Sequence, residues 1–202
     1  MSHRFGALKL FKPVGACVSS GQILVVTGSN GSGKSTLLKM IAGLLVPDAG
    51  TIEVRLDNAP LDSELRRDIL GYVAPDLSLY RELTGAENLR FFAEAKGVDL
   101  PRADLIDLLA EVGLKGRGRD FVGAYSSGMR QRLKYAFALL SKPPLLLLDE
   151  PTANLDSEGF EMVERIIRRQ TGTVENGLTI IATNEPRETD WSDNRVHLEP
   201  FA

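Results

Sequence analysis

The sequence predicts an α/β fold in which a parallel β-sheet carries helices on both faces. Strand-like and helix-like segments alternate along most of the 202 residues, which is the pattern of such a sheet. A glycine-rich loop at residues 28–35 follows one of the strand-like segments and precedes a helix-like one. Residues 145–148 are four consecutive leucines, a run typical of a parallel strand buried on both faces.

The first third of the chain surrounds the glycine-rich loop. Residues 22–27 are apolar and β-branched between two glycines, which predicts a buried parallel strand. A helix is expected to begin near Gly33, and residues 51–56 alternate as in a half-exposed antiparallel strand. Residues 70–73 predict another short strand. The apolar face of the helix would comprise Leu37, Leu38, Ile41 and Leu44.

The middle third is predicted to be helical. Thr84 and Glu87 have the spacing of a capping box, which opens a helix over about 84–96. A second helix is predicted over 101–112, between a proline and a glycine. The basic, glycine-containing loop 115–119 is interpreted as a solvated connector rather than a nucleic-acid contact.

The last third returns to alternating strands and helices. We expect a helix at 126–140, a strand at 145–149, a helix at 156–170, a strand at 178–183 and a short strand at 195–198. The helical middle is therefore an insertion between two halves of one sheet. We expect a core with a small antiparallel β part at about 1–75 and 141–202, and a helical subdomain at about 76–140.

Composition narrows the classes of partner and the cellular setting. The net charge of -3 gives no bulk electrostatic argument for nucleic acid, and no nucleic-acid partner is expected. The single cysteine, Cys17, excludes an internal disulfide and favours a cytoplasmic setting. No apolar run approaches the ~20 residues of a membrane helix. Work at a membrane would require another chain to provide the span.

The loop at residues 28–35 matches the phosphate-loop pattern G-x-x-x-x-G-K-[ST] and predicts a P-loop NTPase. Its glycines let backbone N–H groups point at phosphate oxygens, and the helix N-terminus adds partial positive charge. Lys34 is expected to reach the β- and γ-phosphates, and Ser35 to offer its hydroxyl to Mg²⁺. The predicted nucleotide-binding residues here are Gly28, Ser29, Asn30, Gly31, Ser32, Gly33, Lys34, Ser35 and Thr36.

Residues 145–149 have the Walker-B pattern, four apolar residues followed by a carboxylate. A buried strand would deliver Asp149 to the sheet edge beside the phosphate loop, where it can hold Mg²⁺ directly or through water. Glu150 follows and is placed to polarise an attacking water as a general base. A solvated acidic pair at a strand end is the alternative, and the linked phosphate loop weighs against it.

Residues 125–129, Tyr-Ser-Ser-Gly-Met, predict a second helix N-terminus able to bind phosphate. The residues concerned are Ser126, Ser127 and Gly128. If the two phosphate-binding ends lie at opposite ends of the fold, one chain cannot use both on one nucleotide, whereas two chains arranged head to tail could. From these residues alone, a capped helix without a ligand is an equal alternative.

Together these motifs resemble the nucleotide-binding domain of ATP-binding cassette (ABC) transporters. The resemblance covers almost the whole chain and implies one ABC ATPase domain with a RecA-like sheet and the cofactors ATP and Mg²⁺. It implies that Phe5 stacks on adenine, and that residues 126–129 contact the γ-phosphate of the partner's ATP. The segment from Asn154 to Asp156 resembles the D-loop that crosses the dimer interface, which implies that Asp156 contributes to nucleotide binding. Residues 83–89 are also similar to the family.

Three motifs depart from the family pattern. The signature has Ser127 and Met129 where the family has glycine and glutamine, but its remaining serine and glycine should preserve binding. The family has a glutamine in a segment called the Q-loop, and Pro75 occupies its position here. Proline has no side-chain ligand for Mg²⁺, and Asp76 is the alternative ligand after a one-residue shift. Asn184 replaces the switch histidine and can donate a hydrogen bond but cannot become a cation, so slower hydrolysis is expected.

The resemblance implies an ATPase subunit that lies at the inner face of the membrane and contacts separate transmembrane subunits through about residues 74–83. A homodimer, or a dimer with a homologous ATPase, would close on two Mg-ATP molecules and open after hydrolysis. Lys34, Glu150 and Asn184 would be the catalytic residues. The short chain is similar to the ATPases of small exporters, including the haem-exporter type. The alternatives are a soluble ABC ATPase that does not transport and an ATP-dependent clamp with little turnover.

Overall fold

The computed structural model describes residues 14–175 and 177–199, with the backbone alone at 4–5 and 8–9. Strand β1 (Arg4–Phe5) pairs antiparallel with β2 (Leu8–Lys9). The side chain of Phe5 lies outside the described residues, and its contact with adenine therefore stays a prediction.

Seven further strands and seven helices are described between residues 14 and 199. The strands are β3 (Ile23–Thr27), β4 (Arg55–Leu56), β5 (Ala59–Pro60), β6 (Leu70–Val73), β7 (Leu145–Asp149), β8 (Leu178–Ala182) and β9 (Asn194–His197). The helices are α1 (Lys34–Ile41), α2 (Ser63–Asp68), α3 (Gly85–Ala95), α4 (Arg102–Glu111), α5 (Ser127–Leu139), α6 (Ser157–Gly172) and α7 (Pro186–Thr189). A 3-10 turn spans Val122–Ala124.

The central sheet is parallel throughout and has the order β6-β7-β8-β3-β9. Alternate residues of its strands enter two separate apolar layers, because successive side chains of a strand point to opposite faces. On one face, Leu146 and Leu148 pack with residues of α5 and α6. On the other face, Leu145 and Leu147 pack with residues of α1. The predicted α/β fold with helices on both faces is confirmed.

Helices α3, α4 and α5 lie between β6 and β7 in the sequence, and they pack on one another. The predicted capping box opens α3: Thr84 Oγ1 accepts from Glu87 N at 3.2 Å, and Glu87 Oε2 accepts from Thr84 N at 2.8 Å. The division into a core and a helical subdomain at about 76–140 stays a prediction. Helix α5 also packs against β6, so it covers part of one face of the central sheet.

Two expectations in the first third were wrong in extent. Helix α1 ends at Ile41, and Gly43 follows with φ of 74°, so Leu44 lies beyond the helix and is exposed. The strand expected at 51–56 is reduced to β4, because its only described antiparallel partner is the two-residue strand β5. Residues 52 and 54 still pack against the apolar layer around α1, which explains their alternation.

Two short helices, α2 and α7, were not predicted. Helix α2 begins after Asp62, whose side chain accepts from the backbone N–H groups of Glu64 and Leu65, both at 2.9 Å. Helix α7 has four residues, too few to show a period in the sequence. None of the helices among the described residues has the length and apolar character needed to span a bilayer.

Candidate functional site

The phosphate-loop residues form a tight backbone curl between β3 and α1. Gly28, Gly31 and Gly33 have φ values of 148°, 79° and 95°, which L side chains rarely adopt. A Cβ at Gly28 would also lie 2.5 Å from Ser32 Oγ and 2.7 Å from the carbonyl oxygen of Leu198. Glycine is therefore required at position 28 both by conformation and by space.

Lys34 directs its ammonium group back into this loop. Its Nζ donates to the carbonyl oxygens of Gly28 at 2.8 Å and Ser29 at 3.2 Å. Burial lowers the pKa of Lys34, while Glu150 and Asp149 act in the opposite direction. The cation thus lies within the loop, near the carboxylates of Asp149 and Glu150 at the end of β7.

Asp149 ends β7 and is 2% exposed. Its Oδ1 makes no hydrogen bond within the described part of the chain. Burial is the main cause that raises the pKa of Asp149, and the nearby Ser35 hydroxyl acts to lower it. A buried carboxylate oxygen without a partner is costly. A carboxylate beside a hydroxyl at the phosphate loop is a donor set that fits Mg²⁺.

Glu150 has a left-handed backbone, with φ of 49°. Such a conformation is unfavourable for a residue with a side chain. The turn is held by several bonds: Glu150 N donates to the Ala182 carbonyl at 2.9 Å, and the Pro151 carbonyl accepts from Tyr135 Oη at 2.8 Å. Gln131 Nε2 lies 3.4 Å from the same carbonyl oxygen. The predicted base is therefore exposed on a turn that its surroundings define closely.

Asn184 follows β8 and lies against the phosphate loop. Its Nδ2 donates a hydrogen bond to Oδ1 of Asn30. The residue at the predicted switch position is thus in direct contact with a predicted nucleotide-binding residue.

The predicted signature residues form the N-terminus of α5. Ser126 is the N-cap, and its Oγ accepts from Met129 N at 3.1 Å. Ser126 and Ser127 are exposed, while a Cβ at Gly128 would lie 3.1 Å from the Asn154 carbonyl oxygen. No hydrogen bond or ion pair among the described residues connects this end of α5 with the phosphate loop. Within one chain, the N-terminus of α5 and the phosphate loop are therefore two separate candidate phosphate-binding sites.

Asp156 is engaged within its own chain. Its Oδ1 caps α6 by accepting from Gly159 N at 2.8 Å and also pairs with Arg132 Nη2 at 2.9 Å. The pKa of Asp156 is lowered, first by the Gly159 N–H group and further by Arg132. These bonds tie the D-loop segment to α5, and a contact of Asp156 with nucleotide stays a prediction.

The segment at the Q-loop position is held by two lysines that sequence reasoning missed. Lys39 Nζ, on α1, lies 2.7 Å from Asp76 Oδ2. Lys134 Nζ, on α5, donates to the carbonyl oxygens of Ala74 at 3.0 Å and Pro75 at 2.8 Å. The hydrogen bond from Lys39 is the first cause that lowers the pKa of Asp76. Asp76 is therefore paired with Lys39 in this structure.

Sequence reasoning also missed Glu188, a buried carboxylate on α7. Its Oε1 accepts from Thr152 N at 3.1 Å and from the Thr152 hydroxyl. No motif marked this residue, since a glutamate in an exposed, charged segment is typical of a solvated helix.

Comparison with known proteins places these motifs in a family. The protein-family model described as ABC transporter matches residues 11–153. The uncharacterized ABC transporter ATP-binding protein YdbJ of Bacillus subtilis (strain 168) is 34% identical over 197 residues, which are 97% of this chain and 63% of that protein. The lipoprotein-releasing system ATP-binding protein LolD of Bordetella pertussis is 33% identical over 205 residues, covering 95% of this chain and 86% of the relative.

A further relative and two solved structures agree with this placement. The cytochrome c biogenesis ATP-binding export protein CcmA of Rhizobium meliloti is 34% identical over 189 residues, covering 92% of this chain and 89% of CcmA. A solved ATP-binding subunit of an ABC transporter has a TM-score of 0.83 at 30% identity and covers 98% of this chain and 83% of that one. A dimeric ATP-binding cassette with ADP and Pi has the same TM-score at 24% identity, with 98% and 90% covered, which supports the fold.

Proposed function

The chain belongs to the ABC transporter family of ATP-binding proteins, and on this premise we propose that it binds and hydrolyses ATP as the energy-coupling subunit of a transporter. The observation that carries the proposal is the convergence of three strand ends. The phosphate loop after β3, Asp149 and Glu150 at the end of β7, and Asn184 after β8 meet at one edge of the sheet. Binding at the carboxyl ends of parallel strands is the rule for open α/β sheets.

The phosphate loop and Lys34 bind the triphosphate. Backbone N–H groups of the loop and the N-terminus of α1 favour negative charge. The ammonium of Lys34 now bonds two loop carbonyls and exchanges them for phosphate oxygens when nucleotide is bound. Ser35 and Asp149 would hold Mg²⁺, which neutralises charge on the β- and γ-phosphates.

Glu150 and Asn184 act on the side of the γ-phosphate that lies opposite the leaving ADP. Glu150 accepts a proton from water as the water oxygen attacks the γ-phosphorus, and the bond to the bridging oxygen of ADP breaks. Asn184 donates a hydrogen bond to a γ-phosphate oxygen from the second N–H of Nδ2, whose first N–H bonds Asn30. An amide stabilises the developing charge less than a cation would, so turnover is slow compared with a histidine variant.

A head-to-tail pair of copies, or one copy and a homologous ATPase, completes each site. Within one chain the N-terminus of α5 makes no bond to the phosphate loop among the described residues. Ser126, Ser127 and Gly128 of the second copy would therefore face the γ-phosphate. Their exposure and the free N–H groups of a helix N-terminus support this arrangement.

A transmembrane subunit contacts an exposed aromatic pair beside the Q-loop segment. Tyr80 and Phe91 are 47% and 46% exposed, and their ring centroids lie 5.2 Å apart in an edge-to-face arrangement. The cluster continues into the fold through Phe92 and Phe137. Exposed aromatic residues on a supported cluster are typical of protein–protein contacts. Through this contact the protein lies at the cytoplasmic face of the membrane.

Phosphate release by the purified protein tests the proposal. Wild-type protein with Mg-ATP should release phosphate and form an ATP-dependent dimer in gel filtration, and Lys34→Met should lose both. Dimer formation without phosphate release would instead support an ATP-dependent clamp, the alternative function that Asn184 favours. A neighbouring gene for a nuclease or a ribosome-associated protein, in place of a multi-span membrane protein, would favour a soluble ABC ATPase.

A further inference from the structure

We propose that Glu188 is a positioning residue for hydrolysis, because its buried side chain holds the turn that carries Glu150 and joins it to the segment that carries Asn184. The inference rests on the proposed function. Glu188 itself lies behind the site and contacts neither the phosphate loop nor a predicted nucleotide-binding residue through any described hydrogen bond.

The first support is the pair of bonds from Thr152 to one carboxylate oxygen. Glu188 is 1% exposed. Its Oε1 accepts from both the backbone N–H and the hydroxyl of Thr152, two residues after Glu150. Hydrogen bonds to an ionised acceptor are roughly twice as strong as neutral ones. Glu188 therefore restrains the backbone at the end of the catalytic turn.

The second support is the strained conformation that this restraint maintains. Glu150 has φ of 49°, a conformation that persists only where the surroundings define it. Tyr135, fully buried on α5, donates to the Pro151 carbonyl from one side of the turn. Glu188 binds Thr152 from α7 on the other side. The turn is thus held between two elements that belong to different parts of the chain.

The third support is the link to Asn184. Helix α7 begins two residues after Asn184, and in the turn before it Glu185 N donates to Thr183 Oγ1 at 2.8 Å. Glu188 lies on this helix and accepts from Thr152 N at 3.1 Å, so it joins the segment that follows β8 to the turn that follows β7. Thr183 N in turn donates to the Val26 carbonyl at 3.0 Å. One side chain therefore spans the turns after β7 and β8.

The energetic argument favours a role beyond stability. A carboxylate removed from water with one oxygen unpartnered is expensive, and a neutral group of similar shape would fold at lower cost. Burial is indeed the main cause that raises the pKa of Glu188. Each buried polar group of this kind calls for an explanation, and the restraint of the catalytic turn supplies one.

Removing the restraint should affect catalysis more than ATP binding. The phosphate loop and Lys34 do not bond Glu188 or Thr152, so the KM for ATP should stay within roughly threefold of wild type. The position of Glu150 relative to the attacked phosphorus would relax, and misplacement of about 1 Å can reduce rate by roughly 100-fold. We therefore expect Glu188→Met to lower kcat by roughly 10- to 100-fold.

Conservative variants separate positioning from folding. Glu188→Gln retains an oxygen acceptor for Thr152 and should keep kcat within roughly threefold of wild type. Thr152→Val removes the hydroxyl bond but keeps the N–H bond, and should give a smaller loss than Glu188→Met. Thr152→Ser should restore kcat to near wild type. Glu161→Met, an exposed site on α6, is the matched control and should behave as wild type.

Hydrogen exchange at the Thr152 amide, together with kcat and KM on the full chain, completes the test. Glu188→Met should accelerate exchange of this amide, and Glu188→Gln should not. Equal kcat for wild type and Glu188→Met, or equal losses for the Met and Gln variants, would overturn the proposal, as would a loss that appears in KM alone. If wild type itself releases no phosphate, the proposed function fails, while the exchange of the Thr152 amide still tests the Glu188 contact.

Discussion

Asn184 and Asn30 are joined by a hydrogen bond between their side-chain amides, although 154 residues separate them in the chain. The bond brings the end of β8 to the phosphate loop that follows β3, two strands that lie side by side in the sheet. While no nucleotide is bound, the Asn184 amide donates a hydrogen bond to the side-chain oxygen of Asn30 in the loop. The amide nitrogen has two N–H donors, so the second remains available for a phosphate oxygen.

Asn184→His should raise the rate of phosphate release, because imidazole can carry a positive charge and move a proton. Proton transfer by a positioned side chain contributes roughly 100-fold or more where it is limiting, and we expect an increase of at least about fivefold. Asn184→Ala should lower the rate. The measurement is steady-state phosphate release at saturating Mg-ATP. An unchanged rate in the histidine variant would mean that another group already supplies this charge.

Glu150→Gln should abolish turnover and retain ATP binding. The amide cannot accept the proton of the attacking water, whereas the phosphate loop and Lys34 are unchanged. A loss of roughly 100-fold or more in kcat is expected, with an ATP-stabilised dimer visible in gel filtration. Hydrolysis at the wild-type rate would exclude Glu150 as the base. Glu161→Gln, on an exposed face of α6, provides the control for removal of a charge.

Asp149→Asn should stabilise the nucleotide-free protein and eliminate Mg-dependent hydrolysis. Burial raises the pKa of Asp149, so its charged form opposes folding at every pH above the folded-state pKa. That penalty decreases as the pH falls below the raised folded-state pKa and is lost only below the lower pKa of the unfolded state. Because a buried polar group without a partner costs on the order of 1–3 kcal/mol, the neutral isostere should raise Tm at neutral pH by about 2–4 °C. A lower Tm for Asp149→Asn, without Mg²⁺ or nucleotide, would contradict this account.

Asp76→Asn should have little effect on the Mg²⁺ concentration that supports half-maximal hydrolysis. In the structure Asp76 pairs with Lys39, which makes it a poor substitute for the glutamine that the family has at the Q-loop. We expect a change below about twofold, and a stability loss below about 1 kcal/mol because the pair is largely exposed. Lys39→Met should match both results. A fivefold or larger shift in the Mg²⁺ requirement for Asp76→Asn alone would assign the carboxylate to the metal.

The order of strands and helices could be read from the sequence wherever a local signal was strong. The leucines before Asp149 and the capping box at Thr84 predicted β7 and α3 closely. Helix α7 and the hairpin of β4 and β5 could not be predicted, since each is too short to show a period. Their positions depend on the turn geometry and on packing against the sheet.

The sequence by itself predicted which groups bind phosphate and Mg²⁺, because the phosphate loop, Asp149 and Glu150 lie in contiguous motifs with a local geometry. Only the tertiary structure decided what supports them. The pairing of Lys39 with Asp76, the position of Asn184 against Asn30 and the burial of Glu188 beneath Thr152 join segments far apart in the chain. Such contacts arise where neighbouring strands end at the same edge of the sheet. Tertiary packing decides which strands are neighbours, and their order along the chain does not.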